Sequence, residues 1–376
     1  MARESVSCMD EYIMRQLARL ITIDDIRPHP NADRLEIAIV GLWNVVVGKG
    51  QFQKGSSAIF CEIDSMLPLE DERLAFLKGR NEYTVDEKIY SRLKTMRLRG
   101  HLSQGLLLPT QQFEEEIHSF WGAEDTGATL ADALGIVKYD PPEYNERDPN
   151  RFKTGRGTPF PSFIPKTDQE RIQNLVEEYN SIVKKFESND PADYEYFEVT
   201  YKLDGSSITC FANENKLGVC SRNNYLAIPD DWHEAESHFI EAAIEQGVLF
   251  KLALYHSMTG RNIALQGELC GPGIQSNFEG LDKHEIFIYD VYDIDARRYL
   301  LPEERRELVI WELGLQHVPI FSSNVWLECP IEKILESADG ASGLNGKFRE
   351  GLVMKSCERD FSFKVISNQY LLKSNK

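Results

Sequence analysis

Little in this 376-residue sequence belongs to a membrane, secreted or metal-stapled protein. No window approaches the roughly 18 consecutive apolar residues that a membrane span requires. The opening MARESVSCMDEYIMRQL lacks the charged-then-apolar order of a signal sequence. The seven cysteines, at 8, 61, 210, 220, 270, 329 and 357, form no C-x-x-C pair and have no histidines at zinc-ligand spacing. They read as buried thiols of a reducing compartment, so the expectation is an intracellular, soluble protein. Positive charge is also short: 42 Lys+Arg stand against 60 Asp+Glu, a formal net charge of −18. That balance argues against a broad phosphate-binding surface. It leaves room for a local basic track, because the acidic residues fall largely in runs such as Glu114 to Glu116, Glu177 with Glu178, and Asp230 to Glu236, which read as solvated helix faces. Neither a fixed-period repeat nor a low-complexity tract is present, which excludes a solenoid and a disordered tail.

What is there suits an ordinary globular chain, 42% apolar and 27% charged, long enough for two domains. Between Ile136 and Pro165 the text turns irregular and holds six of the sixteen prolines, which places an extended linker at 136–165 between domains at 1–135 and 166–376. The first domain contains short β-rich runs, LARLITIDDIRPH, RLEIAIV, WNVVVG and AIFCEI, parted by Gly, Pro and Asn turns, as in a small barrel. In RLKTMRLRGHLSQGLLLP, Arg97, Arg99 and His101 alternate and would share one face of a strand. The pattern alone suits a solvated strand as well as an RNA contact. Beyond the linker, helical signals at Asp168–Lys185 and Pro229–Leu254, with Asp230 or Asp231 as N-cap, alternate with strand-like runs. The order suggests an α+β domain with antiparallel sheets.

The strings that carry chemistry follow one another along the second domain: KLDG at 202–205, SRNN at 221–224, GELCG at 267–271, FIYDVYD at 287–293, EGLVMK at 350–355 and FSFK at 361–364. KLDG alone occurs readily by chance; the ordered set does not. A lysine attacks phosphorus only as a neutral amine, so a nucleophilic Lys202 needs its pKa lowered, for which Lys355, Lys364 and a metal ion are the nearest candidates. Nucleotidyl transfer rests on positioning and charge neutralisation, which wants cationic donors on the phosphate. Strand alternation puts Val353 and Lys355 on the face opposite Leu352 and Met354. Phe287 and Tyr289 share a face, as core residues or as a base-stacking pair.

This set resembles the covalent nucleotidyltransferase superfamily of ATP-dependent DNA ligases, RNA ligases and mRNA capping enzymes, from about Lys166 to the end of the chain. The stretch from DIRPHPNADRLEIAIV through WNVVVGKGQFQKGSSAIF to LRGHLSQGLLLP resembles the oligonucleotide-binding (OB) module of tRNA-binding proteins, which also heads one branch of RNA ligases. The resemblance implies an N-terminal OB-like barrel followed by an adenylation domain with ATP between its sheets. It implies Lys202 as the residue that carries AMP, with an ATP site completed by Arg171, Arg222, Glu268 on the ribose, Tyr289 on adenine, and Lys355 and Lys364 on the phosphate. Glu350 would hold Mg2+ or Mn2+ through water. PKTDQERIQN at 165–174 resembles an RNA-ligase segment and nominates Arg171 and Gln173. The implied substrate is RNA, a nicked duplex or an RNA-ended strand, tracked by the OB module and by Arg147, Arg151, Lys153 and Arg156. A DNA ligase, a capping-type enzyme and a non-enzymatic RNA-binding protein remain the alternatives. One departure stands out: relatives carry K-x-K where this chain has Lys364, Val365 and Ile366.

Overall fold

The computed structural model describes residues 16–122, 128–139, 158–187, 190, 194–214, 216–229, 237–345 and 347–373. Cys8, the four linker cations, the run from Asp230 to Glu236 and both N-cap candidates within it lie outside the described residues. The chain forms two compact units that divide between Asp140 and Pro141.

In the first unit the β-rich runs become short antiparallel strands. Trp43–Gly48 pairs with Leu35–Val40, which pairs in turn with Asp25–Pro28. Alternation along Trp43–Gly48 buries Trp43, Val45 and Val47. Ser57–Cys61 lies between Ala18–Thr22 and Leu106–Pro109. Both its faces are covered: Ile59 and Cys61 join the core with Leu67, Phe113 and Ile117, while Phe60 lies 5.8 Å from the Trp43 ring. Burial on both sides explains why AIFC reads as an unbroken apolar run rather than an alternating one. This is the expected OB-like barrel.

The basic strand is corrected. Met96–Leu98 and His101–Ser103 are two strands of a hairpin that turns at Arg99 and Gly100, both at positive φ (47° and 89°). The glycine makes the turn available and so breaks the alternation that would have put Arg97, Arg99 and His101 on one strand. His29 Nε2 donates to Leu98 O at 3.1 Å and Asn31 Nδ2 to Arg99 O at 3.1 Å, which ties the hairpin to the loop after Asp25–Pro28. Arg97 and Arg99 are both exposed.

The second unit is α+β. A seven-stranded sheet contains Ser206–Asn213, Ile263–Cys270 and Glu285–Asp293 at its centre, antiparallel throughout these pairings. A five-stranded sheet is built around Tyr196–Lys202, Gly351–Ser356 and Ser362–Ile366. One pairing is parallel, Glu170–Arg171 with Phe363–Lys364. Because residues 170–171 are spent in that sheet and Ile172–Asn174 in a 3-10 turn, the first helix runs over Val176–Glu187 and not from Asp168. The second helical signal resolves into His238–Glu245 and Val248–Thr259, separated by Gly247 at φ 68°. Both helices bury apolar residues, among them Ile240, Leu249 and Leu252, against Leu265, Ile286 and Val291 of the large sheet.

Candidate functional site

The two sheets of the second unit meet at a cleft lined by Lys202, Ser207, Arg222, Glu268, Tyr289, Lys355 and Lys364, with Thr167 to Gln169 along one wall. Lys202 ends its strand in register with Gly351 of the EGLVMK strand. That pairing brings Lys202 Nζ to 2.7 Å from Glu350 Oε1. A Cβ on Gly351 would run into Val365 O, and one on Gly205 into Leu269 O, so both glycines are required for strands to close around the lysine.

Charge in the cleft is arranged in two groups. The first is acidic. Burial pushes the Glu268 carboxyl up to about 8 and the Asp204 carboxyl up to about 7, with Glu350 adding repulsion to both. Burial draws Lys202 downward, but Glu350, Glu268 and Asp204 outweigh it and hold the amine above its ordinary range. The expectation that Lys355 and Lys364 lower this pKa is therefore corrected: the charged groups that act on Lys202 are the carboxylates of Glu350, Glu268 and Asp204.

The second group is cationic. Lys355 Nζ donates to Tyr289 O at 3.0 Å and pairs with Asp290. Burial carries its pKa below the ordinary lysine range against the pull of Asp290. Asp290 also faces Arg305 at 3.7 Å; Arg305 pairs with Glu198, which takes Arg306 at 2.6 Å. Arg305 and Glu198 have side chains with no solvent exposure, so Lys355 is seated on a buried ionic chain. Lys364 Nζ lies 3.1 Å from Asp168 Oδ1.

Tyr289 sits at a β-bulge: Asp290 pairs with Gln266 and Ile288 with Gly267, which leaves Tyr289 unmatched and free to be re-aimed. Its hydroxyl is hydrogen-bonded with Thr167 Oγ1 at 2.9 Å and Ser207 Oγ at 3.3 Å. The structure thus gathers Lys202, Glu268, Tyr289, Lys355 and Lys364 with Arg222 and, through Lys202, Glu350. Arg171 is buried, in register with Lys364, and Thr167 to Gln169 line the cleft at that end. Gln173 is buried as well, and Ile366 is an apolar core residue of the last strand. Sequence reasoning missed Asp168, Ser207, Asp290, Glu198 and Arg305. Asp290 had a visible signal, its place beside Tyr289; the others depend on pairings distant in the chain.

A divalent cation fits these residues. Glu350 Oε2 is buried with no hydrogen-bond partner among the described residues, beside two further carboxylates whose ionised forms are penalised by burial and, to a lesser degree, by repulsion from Glu350 and from each other. No group of three His, Cys, Asp or Glu side chains is gathered at metal-binding distance among the described residues.

With this geometry in view, the likenesses to known proteins are specific. A model of the RNA ligase family matches residues 195–366, and an OB-fold domain model matches residues 17–110. Among solved structures, a Naegleria gruberi RNA ligase variant with AMP and manganese is 36% identical, with a TM-score of 0.80 and coverage of 96% of this chain and 100% of that one. The same enzyme with pyrophosphate is 37% identical over 95% of this chain and 98% of that one, at a TM-score of 0.78. A variant with ATP and manganese is 36% identical over 96% and 100%, also at 0.78. No curated protein sequence gives a significant match. The fold and the cleft are those of a nucleotidyltransferase, and the chain belongs to the RNA ligase family.

Proposed function

We propose that this protein seals RNA 3′-hydroxyl and 5′-phosphate ends at the expense of ATP, with Lys202 as the residue that carries AMP. The observation that carries the reading is the pairing of Lys202 Nζ with Glu350 at 2.7 Å inside a cleft that also presents Lys355 and Lys364. In the first step the Lys202 amine, having lost its proton, forms a bond to the α-phosphorus, and the bond to the pyrophosphate oxygen breaks. Lys355 and Lys364 neutralise the charge that develops on the phosphate oxygens. The 5′-phosphate of the RNA then takes AMP from Lys202, and the 3′-hydroxyl attacks that activated phosphate as AMP leaves.

In this reading Glu268 accepts from the ribose hydroxyls, Tyr289 stacks on adenine, and Arg171 and Arg222 complete the nucleotide site, which is supported by Glu268, Tyr289 and Arg222 lining one cleft. A bound Mg2+ or Mn2+ would occupy the carboxylates that now hold the Lys202 proton and would supply Lewis-acid neutralisation of the phosphates. A Naegleria gruberi RNA ligase structure with ATP and manganese supports ATP and a divalent ion. The substrate we favour is a nick in duplex RNA or an RNA-ended strand, with the OB-fold unit holding the backbone. Sealing assays with nicked duplex RNA, nicked duplex DNA and free single strands test this. Preferential sealing of the RNA nick is expected; exclusive joining of free single strands or of DNA would contradict it.

A further inference from the structure

We propose that Arg349 is a positioning residue for the adenylation step, holding Glu350 and Lys202 in register through the loop at residues 337–345. The inference rests on the reading of Lys202 as nucleophile, and goes beyond it by assigning a residue outside the cleft.

Arg349 is buried, and among the described residues no carboxylate pairs with it. Its guanidinium instead gathers backbone carbonyls: Nη2 donates to Ser337 O at 2.7 Å and Asp339 O at 2.9 Å, Nε to Ala338 O at 3.1 Å, and Nη1 reaches Ala341 O at 3.5 Å. Its carbon lies 5.0 Å from the Phe321 ring and 5.7 Å from the Tyr201 ring, which themselves meet edge-on at 5.6 Å. Arg349 therefore touches the residue before Lys202 and is itself the residue before Glu350. The loop is shaped to receive it. Gly340 has φ 147°, and a Cβ there would come within 2.8 Å of Arg349 Nη2; a Cβ on Gly343 would come within 2.7 Å of the Tyr201 ring.

The same loop reaches the other strings of the site. Asp339 Oδ1 accepts from Ser367 Oγ at 2.6 Å, and Ser367 N donates to Glu350 O at 2.8 Å. Ser342 Oγ donates to Glu279 Oε2 at 2.8 Å, and the other oxygen of Glu279 accepts from Asp204 N at 3.4 Å. One planar cation thus organises a loop that bonds Ser367 at the end of the last strand and reaches KLDG through Glu279 and EGLVMK through Ser367. A lysine, with a point charge and no planar fork, cannot hold these carbonyls and rings together.

The test compares wild type with Arg349→Lys, and with Phe321→Leu, whose side chain is half exposed and lies outside the buried core. Single-turnover formation of the covalent adenylate is followed against ATP and against metal concentration. For Arg349→Lys the rate at saturating ATP is expected to fall about tenfold to a hundredfold, as for misplacement of reacting groups by an ångström or less. The metal concentration needed should rise, and the ATP dependence should change little. Phe321→Leu should show the same pattern with a smaller loss, and it decides the question if Arg349→Lys does not fold. Acylation of Lys202 by an amine-reactive reagent, read by mass spectrometry against Lys78 as internal control, reports the same geometry without any turnover. It should quicken several-fold in the variants as the hold of Glu350 loosens. An unchanged adenylation rate in the folded variants, a loss confined to ATP affinity, or unchanged Lys202 labelling would overturn the proposal. Wild-type protein that forms no adenylate would instead count against the ligase reading, and the labelling comparison would still decide the role of Arg349.

Discussion

At the scale of single residues, the second unit concentrates charge that makes sense only in pairs. Glu198 and Arg305 have no exposed side-chain surface, and removal of Glu198 leaves the buried Arg305 with Asp290, at 3.7 Å, as its remaining carboxylate. Glu198→Ala should cost about 3–5 kcal/mol in chemical denaturation, the usual consequence of breaking a buried ion pair. A loss below about 1 kcal/mol, the range of exposed pairs, would show that the ionic chain under Lys355 is not closed. His317 gives a pH-dependent counterpart. Burial, then the charge of Arg305, push its pKa down to about 3. It accepts from Arg305 Nε and donates through Nδ1 to Val318 O, so it is neutral in the fold. Between its ordinary pKa near 6.5 and about 3, the unfolded chain takes up a proton that the folded one refuses. Stability contributed by this group is present above pH 6.5 and is lost as pH falls toward 3, at no more than about 1.4 kcal/mol per pH unit. His317→Gln should flatten that part of the acid limb in pH-dependent unfolding; an unchanged limb would mean that His317 is protonated in the fold.

At the scale of elements, most of the strings singled out were legible because each sits on one strand or strand end, while SRNN joins the strands Lys216–Cys220 and Asn224–Leu226. SSITCFAN is the strand Ser206–Asn213 residue for residue, and EGLVMK places Val353 and Lys355 toward the cleft while Leu352 and Met354 are buried. Local patterns failed where a distant partner decided the outcome. Residues 170–171 read as helix and became a strand because Phe363–Lys364 offers an edge nearly two hundred residues later. Asp168 could not be recognised as the partner of Lys364 for the same reason. The hairpin at Arg99 and Gly100 did carry a local signal, the glycine, which the alternation of cations obscured. Gly351 is the sharpest element-scale prediction, since Val365 O occupies the space a Cβ would take. Gly351→Ala should destabilise the protein by about 1–3 kcal/mol through overpacking and displace Lys202 from Glu350. Thermal melting together with adenylate formation checks both effects, and a variant that melts and reacts like wild type would contradict the close approach.

At the scale of the whole molecule, a net charge of −18 leaves the proposed RNA substrate to be met by local groups of cations. Arg97 and Arg99 on the hairpin of the OB-fold unit are such a group. Replacing both by alanine should weaken binding of nicked RNA across sequences and reduce the salt slope of the affinity by about 2. Adenylate formation should be unaffected, because that step belongs to the second unit. Equal salt slopes for variant and wild type would place the RNA backbone elsewhere. The central claim is tested most directly by incubating the purified protein with α-labelled ATP and magnesium beside a Lys202→Ala variant, then locating the label in the denatured chain. Label confined to the Lys202 peptide of the wild type is the predicted result. Label on another residue, label retained by the variant, or none on either protein would contradict a lysyl-AMP ligase built on Lys202.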